Sequence, residues 1–252
     1  MKNGRDTSAC QGALIWFGQD VQAGAGFGIL DHLGQPKAVF HALKRVLAAR
    51  ALSFSNEAGN GLFLHAHNET SVRAVGRLQL TLFRADGSRV DGGELPLAVE
   101  PWSSVGIPME DAFEWFLDLS WAYRFGAPGA PVIEAIWVDE ADNVMARHVG
   151  LPAGLNLPGQ EDLGWHIEAT PPDASGEVVL TVSTRGFAQS VLVDAPGWTA
   201  SDQAFHLLPE RPQRLTLRPL GGERATRVEL RALNTRRGVG IDLPVAAREV
   251  SA

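Results

Sequence analysis

The sequence is poor in several features that mark particular classes of protein. It has one cysteine, Cys10, among 252 residues, so no disulfide framework within the chain is expected. No apolar run approaches the roughly 20 residues of a membrane-spanning helix. Basic residues are also scarce, since 22 Lys and Arg stand against 29 Asp and Glu for a net charge of −7. Nucleic acids and anionic membranes require a basic surface, so neither is an expected partner.

Recognisable cofactor and nucleophile motifs are also missing. The segment 24–28, Gly-Ala-Gly-Phe-Gly, fails the dinucleotide-binding fingerprint because Ile29 occupies the sixth position and no helix opens on the glycines. Glycines that need positive φ explain this loop better. No G-x-S-x-G elbow is present, and Cys10 has no evident base. His65 and His67 share one face of a predicted strand, but without a third ligand they are expected to face solvent. We therefore predict no cofactor and no metal.

The most distinctive stretch spans residues 12–50. Its apolar run 13–17, Ala-Leu-Ile-Trp-Phe, is typical of a strand buried on both faces. A glycine-rich loop follows, and Pro36 suits the first position of a helix whose apolar residues recur to Leu47. Strand, loop and helix make one β/α unit, which needs parallel neighbours on both sides to be buried. No later segment has this pattern.

The rest of the chain alternates apolar and polar residues, as half-buried strands do. A Pro- and Gly-rich segment interrupts the alternation once, after residue 150. We predict a mainly β fold of two immunoglobulin-like β-sandwiches, preceded by the β/α segment. The predicted domains are residues 1–50, a sandwich over 51–153, a linker over 154–163 and a second sandwich over 164–252. The predicted strands are residues 61–67, 78–82, 95–99, 114–121, 132–138, 144–149, 165–169, 178–182, 187–193, 213–217 and 226–233.

Three separated motifs, in residues 12–47, 118–126 and 201–209, together resemble the C-terminal part of β-mannosidase-like glycoside hydrolases of family 2. Residues 12–47 are similar to the last strand and helix of that family's catalytic (β/α)8 barrel, with Gln19 in place of the usual Asn and no Trp-Pro after Asp20. Residues 118–126, Asp-Leu-Ser-Trp-Ala-Tyr-Arg-Phe-Gly, resemble a D-x-x-Y-A-Y-R-F-G stretch. Residues 201–209 resemble the S-D-N-x-F-x-L-x-P stretch of the C-terminal immunoglobulin-like domain. The residues that match the barrel pattern are Trp16, Asp20, Asp31, Gly34, Pro36, Lys37, Leu43, Lys44 and Arg45.

The resemblance implies a retaining glycosidase as the parent enzyme. Such enzymes use two carboxyl groups on either side of the scissile bond, and in this family both are glutamates on earlier barrel strands. No glutamate of this chain matches them, so we transfer no catalytic residue and expect the chain alone to be inactive. The expected ligand is a β-mannoside or other glycan bound by the complete enzyme. Expected protein partners are the missing catalytic portion or a second copy through residues 1–50. No signal peptide is recognisable, which favours the cytoplasm.

Trp16 and Asp20 are the predicted substrate-binding residues. Trp16 lies on the predicted barrel strand and Asp20 at its C-terminal end, where barrel enzymes place their sites. An indole ring can pack against the apolar face of a sugar. The structural alternatives are that Trp16 belongs to the core and that Asp20 caps a loop.

A second class of function stays open, that of a stand-alone carbohydrate-binding or structural β-sandwich module. Several tryptophans could form a carbohydrate-binding face, although core packing is the usual role of tryptophan in a sandwich. Trp115 and Trp121 would lie on the same side of a regular strand. The tryptophans considered are Trp102, Trp115, Trp121, Trp137, Trp165 and Trp198.

Overall fold

The computed structural model describes residues 13–57, 60–115, 118–121 and 126–244. Within them the chain divides into two compact units. Of the described residues, 13–15 and those between 43 and 157 belong to the first unit, and 16–42 and 158–244 belong to the second. The α-helix α1 (Ala38–Val46) is basic in its last turn through Lys44 and Arg45, and a short 3₁₀ helix covers Met109–Ala112. These cations suit the negative end of the helix dipole. The helix begins at Ala38, two residues after Pro36, and ends at Val46.

The first unit contains a sandwich of two antiparallel sheets. Its strands are β1 (Arg50–Asn56), β2 (Leu62–Asn68), β3 (Ala74–Phe83), β4 (Arg89–Val99), β5 (Ser103–Pro108), β6 (Val132–Asp139) and β7 (Val144–Gly150). One sheet has the order β1-β2-β5 and the other the order β4-β3-β6-β7. Their inner faces supply the core, which includes Leu64, Leu78, Leu80 and Trp137. Gly87, with φ of 92°, turns β3 into β4, as the Asp-Gly step predicts.

The second unit contains another sandwich of two four-stranded antiparallel sheets. Its strands are β8 (His166–Ala169), β9 (Val178–Ser183), β10 (Ala188–Asp194), β11 (Trp198–Ala200), β12 (Phe205–Leu207), β13 (Gln213–Pro219), β14 (Arg227–Arg231) and β15 (Val239–Asp242). The sheet orders are β11-β13-β9-β8 and β12-β10-β14-β15. Val178, Leu180 and Val182 alternate into the core. The prediction of a mainly β fold built from β-sandwiches is therefore confirmed.

Two predicted strands are wrong. Residues 13–17 form no strand, and their large apolar side chains are exposed. No described neighbour offers them a ladder of backbone hydrogen bonds, and a strand needs such a partner. The prediction over 114–121 fails for a local reason: Trp121 N donates to Asp118 O at 3.2 Å and Ser120 Oγ to Asp118 Oδ1 at 3.2 Å. These bonds make a turn that competes with a strand ladder.

The tryptophans differ widely in exposure. Trp137 is fully buried in the first core, and Trp165 and Trp198 pack against the second core. Core packing therefore describes these three, whereas Trp102 and Trp115 are exposed. Trp115 and Trp121 were expected on the same side of one strand. The described residues between 114 and 121 form bends and turns, so there is no strand to place them on one side.

Candidate functional site

The loop between residues 18 and 37 closes on itself through backbone hydrogen bonds. Asp20 N donates to Leu30 O at 3.1 Å, and Leu30 N donates to Gly18 O at 3.0 Å. A third bond, from Lys37 N to Ile29 O at 3.0 Å, joins the end of the loop to its middle. The glycine-rich loop is thus an ordered element held by its own backbone.

Asp20 lies at the centre of this loop and has two donors. Its Oδ1 accepts from Gly28 N at 2.6 Å, and its Oδ2 accepts from Lys37 Nζ at 2.7 Å. The Asp20 side chain is only 8% exposed. The hydrogen bond from Lys37, and next that from Gly28, lowers the pKa of the Asp20 carboxyl below its ordinary value. Lys37 also donates to Gly26 O at 2.9 Å, so one ammonium group ties the carboxylate to the glycine-rich backbone.

The glycines of the loop serve two different purposes. Gly24 has φ of 137°, a conformation that suits glycine. A Cβ at Gly28 would lie 2.6 Å from both the backbone nitrogen and Oδ1 of Asp20, and one at Gly26 would overlap the same carboxylate. The expectation of positive φ therefore holds for Gly24, whereas Gly26 and Gly28 allow Asp20 to approach closely.

The second half of the loop is held by Asp31 and connects to strand β11. Asp31 Oδ1 accepts from the backbone nitrogens of Leu33 and Gln35, each at 2.8 Å. Thr199 Oγ1 in β11 donates to Gln35 Oε1 at 2.5 Å. Sequence reasoning did not identify this contact, and no local pattern indicates a bond between residues 164 positions apart.

A second contact in the same unit involves the only buried residue of helix α1. His41 is 3% exposed, and its Nδ1 lies 3.6 Å from Asp202 Oδ1. Asp202 belongs to the segment 201–209 that the sequence singled out. Within that segment, Gln203 Oε1 accepts from Val193 N and Gln203 Nε2 donates to Val193 O, each at 2.8 Å. The segment therefore completes the hydrogen bonding of strand β10.

Trp16 is accessible from solvent. Its side chain is 80% exposed and makes an edge-to-face contact with Phe17, with ring centroids 5.7 Å apart. Trp16 is thus no part of the described cores, and no hydrogen bond joins it to Asp20 within the described chain. Other large apolar side chains of this segment are exposed too: Val21, Phe27 and Leu33.

His65 and His67 pair with serines across the sheet. Ser55 Oγ lies 2.7 Å from His65 Nε2, and Ser53 Oγ lies 3.1 Å from His67 Nε2. The expectation that both face solvent is wrong for His67, which is 1% exposed. His65 is half-buried, and this burial lowers the pKa of its imidazole. No set of three or more His, Cys, Asp or Glu side chains suited to a metal occurs in the described part of the chain.

Some residues that the sequence analysis considered cannot be placed in the structure. Cys10 and residues 122–125 of the 118–126 motif lie outside the described residues. Among the residues that are described, no helix is long and apolar enough to cross a membrane. From the exposure of Trp16 and the hydrogen bonds of Asp20 and Lys37, we define the candidate site as Trp16 together with the loop that Asp20 and Lys37 organise.

Comparison with known proteins gives a likeness of fold. No protein-family model matches the sequence, and no curated protein matches it either. An exo-chitosanase from Amycolatopsis orientalis matches over 90% of this chain and 30% of its own, with a TM-score of 0.60 and 15% identity. A β-D-mannosidase from Dictyoglomus thermophilum matches over 88% of this chain and 26% of its own, with a TM-score of 0.63 and 13% identity. At the level of fold, the chain resembles part of a larger glycosidase and spans under a third of those enzymes.

Proposed function

We propose that this chain is the C-terminal accessory region of a β-mannosidase-like glycoside hydrolase of family 2. The parent enzyme would hydrolyse O-glycosidic bonds with retention, using two glutamates outside this chain. The main support is the extent of the structural match. About nine tenths of this chain matches less than a third of each glycosidase. The three sequence motifs, which lie in the order expected for that region, are independent support.

In this proposal residues 1–50 contribute the last strand, loop and helix of the (β/α)8 barrel, and residues 13–17 become a strand only where the catalytic portion supplies parallel neighbours. Residues 51–153 and 164–252 are the two accessory sandwiches, joined by the linker 154–163. The exposed apolar side chains of Trp16, Val21 and Phe27 support a role for this segment in covering, or being covered by, another polypeptide. The proposed partner is the catalytic portion of the enzyme, and self-association is the alternative.

Within the complete enzyme, Trp16 and Asp20 would act differently. The accessible indole ring of Trp16 is suited to packing against a sugar. The Asp20 carboxylate already accepts hydrogen bonds from Gly28 and Lys37, so we assign it the role of shaping the loop that presents the sugar contacts. Asp20 would then be a positioning residue.

The proposal is tested by assaying the chain against p-nitrophenyl β-D-mannoside and related aryl glycosides. We expect no turnover above buffer, because the acid and the nucleophile of a retaining glycosidase are absent from the proposed region. Turnover that a single Asp or Glu substitution abolishes would contradict it. Adding a separately expressed (β/α)8 portion should restore activity if the proposed partner is correct.

The alternative function is a stand-alone carbohydrate-binding or structural module. It would require no catalytic partner, and its sugar affinity would not depend on Trp16. Restoration of activity by the catalytic portion separates the two proposals, because only the accessory region requires that partner.

A further inference from the structure

A cleft of about 380 Å³ lies within the second unit, and neither Trp16 nor Asp20 lines it. It is lined by the segment 161–165 before β8, by Arg185 between β9 and β10, and by the segment 235–239 that leads into β15, from which Thr235, Arg237, Gly238 and Val239 contribute. Its size suits a small ligand. None of the motifs that resemble glycosidases contributes to it.

The walls of the cleft are fixed by backbone hydrogen bonds. Leu163, 1% exposed, anchors the first wall in the core, and its carbonyl accepts from Arg185 N at 2.9 Å and Gly186 N at 3.1 Å. Gln160 N donates to Asn234 O at 2.7 Å, which joins the first wall to the segment after β14. A cleft with such walls is largely formed before a ligand binds, so binding would need little ordering of the chain.

Two glycines keep the walls close to their neighbours. Gly164 has φ of 61°, and a Cβ there would run into the side chain of Arg185. A Cβ at Gly238 would lie 2.9 Å from both Arg231 Cγ and Leu230 O. The positions of Arg185 and of the 235–239 wall therefore depend on these glycines.

The cleft is lined by an aromatic ring, by arginine side chains that donate hydrogen bonds and by carboxylates that accept them. Trp165 is partly buried against the second core and lines the cleft, and its indole N–H makes no hydrogen bond within the described residues. Arg185 Nη2 lies 3.4 Å from Asp162 Oδ2. Arg237 and Glu161 also line the cleft, and neither side chain makes an ion pair with any described residue.

This composition favours an uncharged polyhydroxyl ligand over an ion. Guanidinium groups donate and carboxylates accept, so neighbouring hydroxyls of one sugar can be bound from both sides. Glu161 and Asp162 would repel a phosphate or carboxylate, and Arg185 and Arg237 would repel a cation. The indole ring supplies a flat apolar surface for the C–H face of a pyranose.

We propose that this cleft binds a neutral saccharide of one or two sugar units. Trp165 would pack against the ring, and Arg185, Arg237 and Glu161 would bind the hydroxyls. This site is separate from Trp16, and its existence does not depend on the proposed glycosidase parent.

The test is a titration of the full chain, followed by ¹H–¹⁵N correlation spectra, with β-1,4-mannobiose, cellobiose and N,N′-diacetylchitobiose in turn. We expect saturable shifts at the amides of Gly164 and Gly238 with at least one sugar. Arg237→Ala should weaken that binding about tenfold through loss of a charge-assisted hydrogen bond. Arg236→Ala is the matched control, because Arg236 is also exposed but does not line the cleft.

Three results would overturn the proposal. The first is the absence of saturable shifts with all three sugars at tens of millimolar. The second is binding that Arg237→Ala and Trp165→Phe both leave unchanged. The third is stronger binding of inorganic phosphate than of any sugar. Sugar binding that Trp16→Ala abolishes would instead place the ligand at the site described under the proposed function.

Discussion

The two sandwiches differ in the polar groups that they bury. The first contains a buried carboxylate, Glu134 at 1% exposure, and a buried imidazole, His67. Among its described residues from β8 to β15, the second sandwich buries only uncharged polar side chains, namely Thr184, Gln189 and Asn234. Removing a partner from a buried charge costs more than removing one from an amide. The stability of the first sandwich should therefore be more sensitive to single polar substitutions and to pH.

The charged group in the first sandwich lies on the outer face of its larger sheet. Glu134 in β6 accepts a hydrogen bond from Arg147 Nε in β7 at 2.6 Å. Ile133 and Ala135, its neighbours along the strand, point into the core. Glu134 thus occupies the face opposite the core and is still buried.

Substitution of Arg147 should give the largest loss of stability. Arg147→Met removes the guanidinium but keeps an apolar stem, and we expect the free energy of unfolding of the first sandwich to fall by about 3–5 kcal/mol. Hydrogen exchange of peptides from β3 and β6 at increasing urea concentration measures this, because the chain has seven tryptophans and its fluorescence does not isolate the first sandwich. Arg73→Met is the matched control, because its ion pair with Glu100 is exposed and worth at most about 1 kcal/mol.

A further variant tests whether charge is the cause. If it is, Glu134→Leu combined with Arg147→Met should recover much of the loss, because no buried charge remains. A double variant as unstable as Arg147→Met alone would show that packing on this face matters more than the charge.

The equivalent substitution in the second sandwich should have a smaller effect. Asn234 Nδ2 donates to Phe187 O at 2.7 Å, and Asn234 Oδ1 accepts from Gln189 N at 2.9 Å. Asn234→Ala leaves both backbone groups without these partners, so we expect a loss of about 2–3 kcal/mol. Hydrogen exchange of peptides from β10 and β14 would report it, while peptides from β3 and β6 serve as the internal control. A loss as large as that of Arg147→Met would remove the contrast between charged and neutral groups.

The contrast should also appear as a pH dependence. His148 in β7 packs against Phe54, with ring centroids 5.4 Å apart, and burial lowers the pKa of its imidazole to about 4. The unfolded chain, with a histidine pKa near 6.5, takes up the proton more readily, so stability is complete above that pH and falls as the pH drops toward 4. We expect the first sandwich to lose about 1–2 kcal/mol between pH 7.5 and pH 5.

His148→Phe isolates this contribution. The variant should flatten the pH dependence of the first sandwich in that range, and His166→Phe, which alters an exposed residue in β8, should not. The lowered pKa of His65 acts in the same direction, so a reduced slope is expected to remain. An unchanged slope in His148→Phe would show that His148 is not the group that titrates.

The sequence predicts most strands because burial leaves a pattern within each of them. Val178 to Val182 alternate, and β6 is an apolar run because both of its faces are covered. Strands β11 and β12, of three residues each, are too short to show a period, and both were missed. Strands β1, β5 and β15 were missed as well, since their inward-facing residues are few or interrupted by glycine, serine and proline.

The candidate site could be predicted only in part. Position and residue type make Trp16 and Asp20 notable, but the partner of Asp20 is Lys37, 17 residues later. The bond between Gln35 and Thr199 likewise depends on the folded chain, because no local pattern joins such distant residues. The strand predicted over 13–17 failed for a different reason: an apolar run becomes a strand only where neighbours supply hydrogen bonds.

The smallest effect should appear in the segment that belongs to neither core. Residues 13–17 have exposed apolar side chains, whereas the backbone amides of Asp20, Gly28 and Leu30 are hydrogen-bonded within the loop. In a dilute, demonstrated monomer we expect fast hydrogen exchange at residues 14–16 and measurable protection at those three amides. Asp20→Asn weakens the bond with Lys37 and should speed exchange at Gly28 without changing β3 or β6. Slow exchange at residues 14–16 in the monomer would mean that this stretch has a partner inside the chain, and its proposed place in an incomplete barrel would then be wrong.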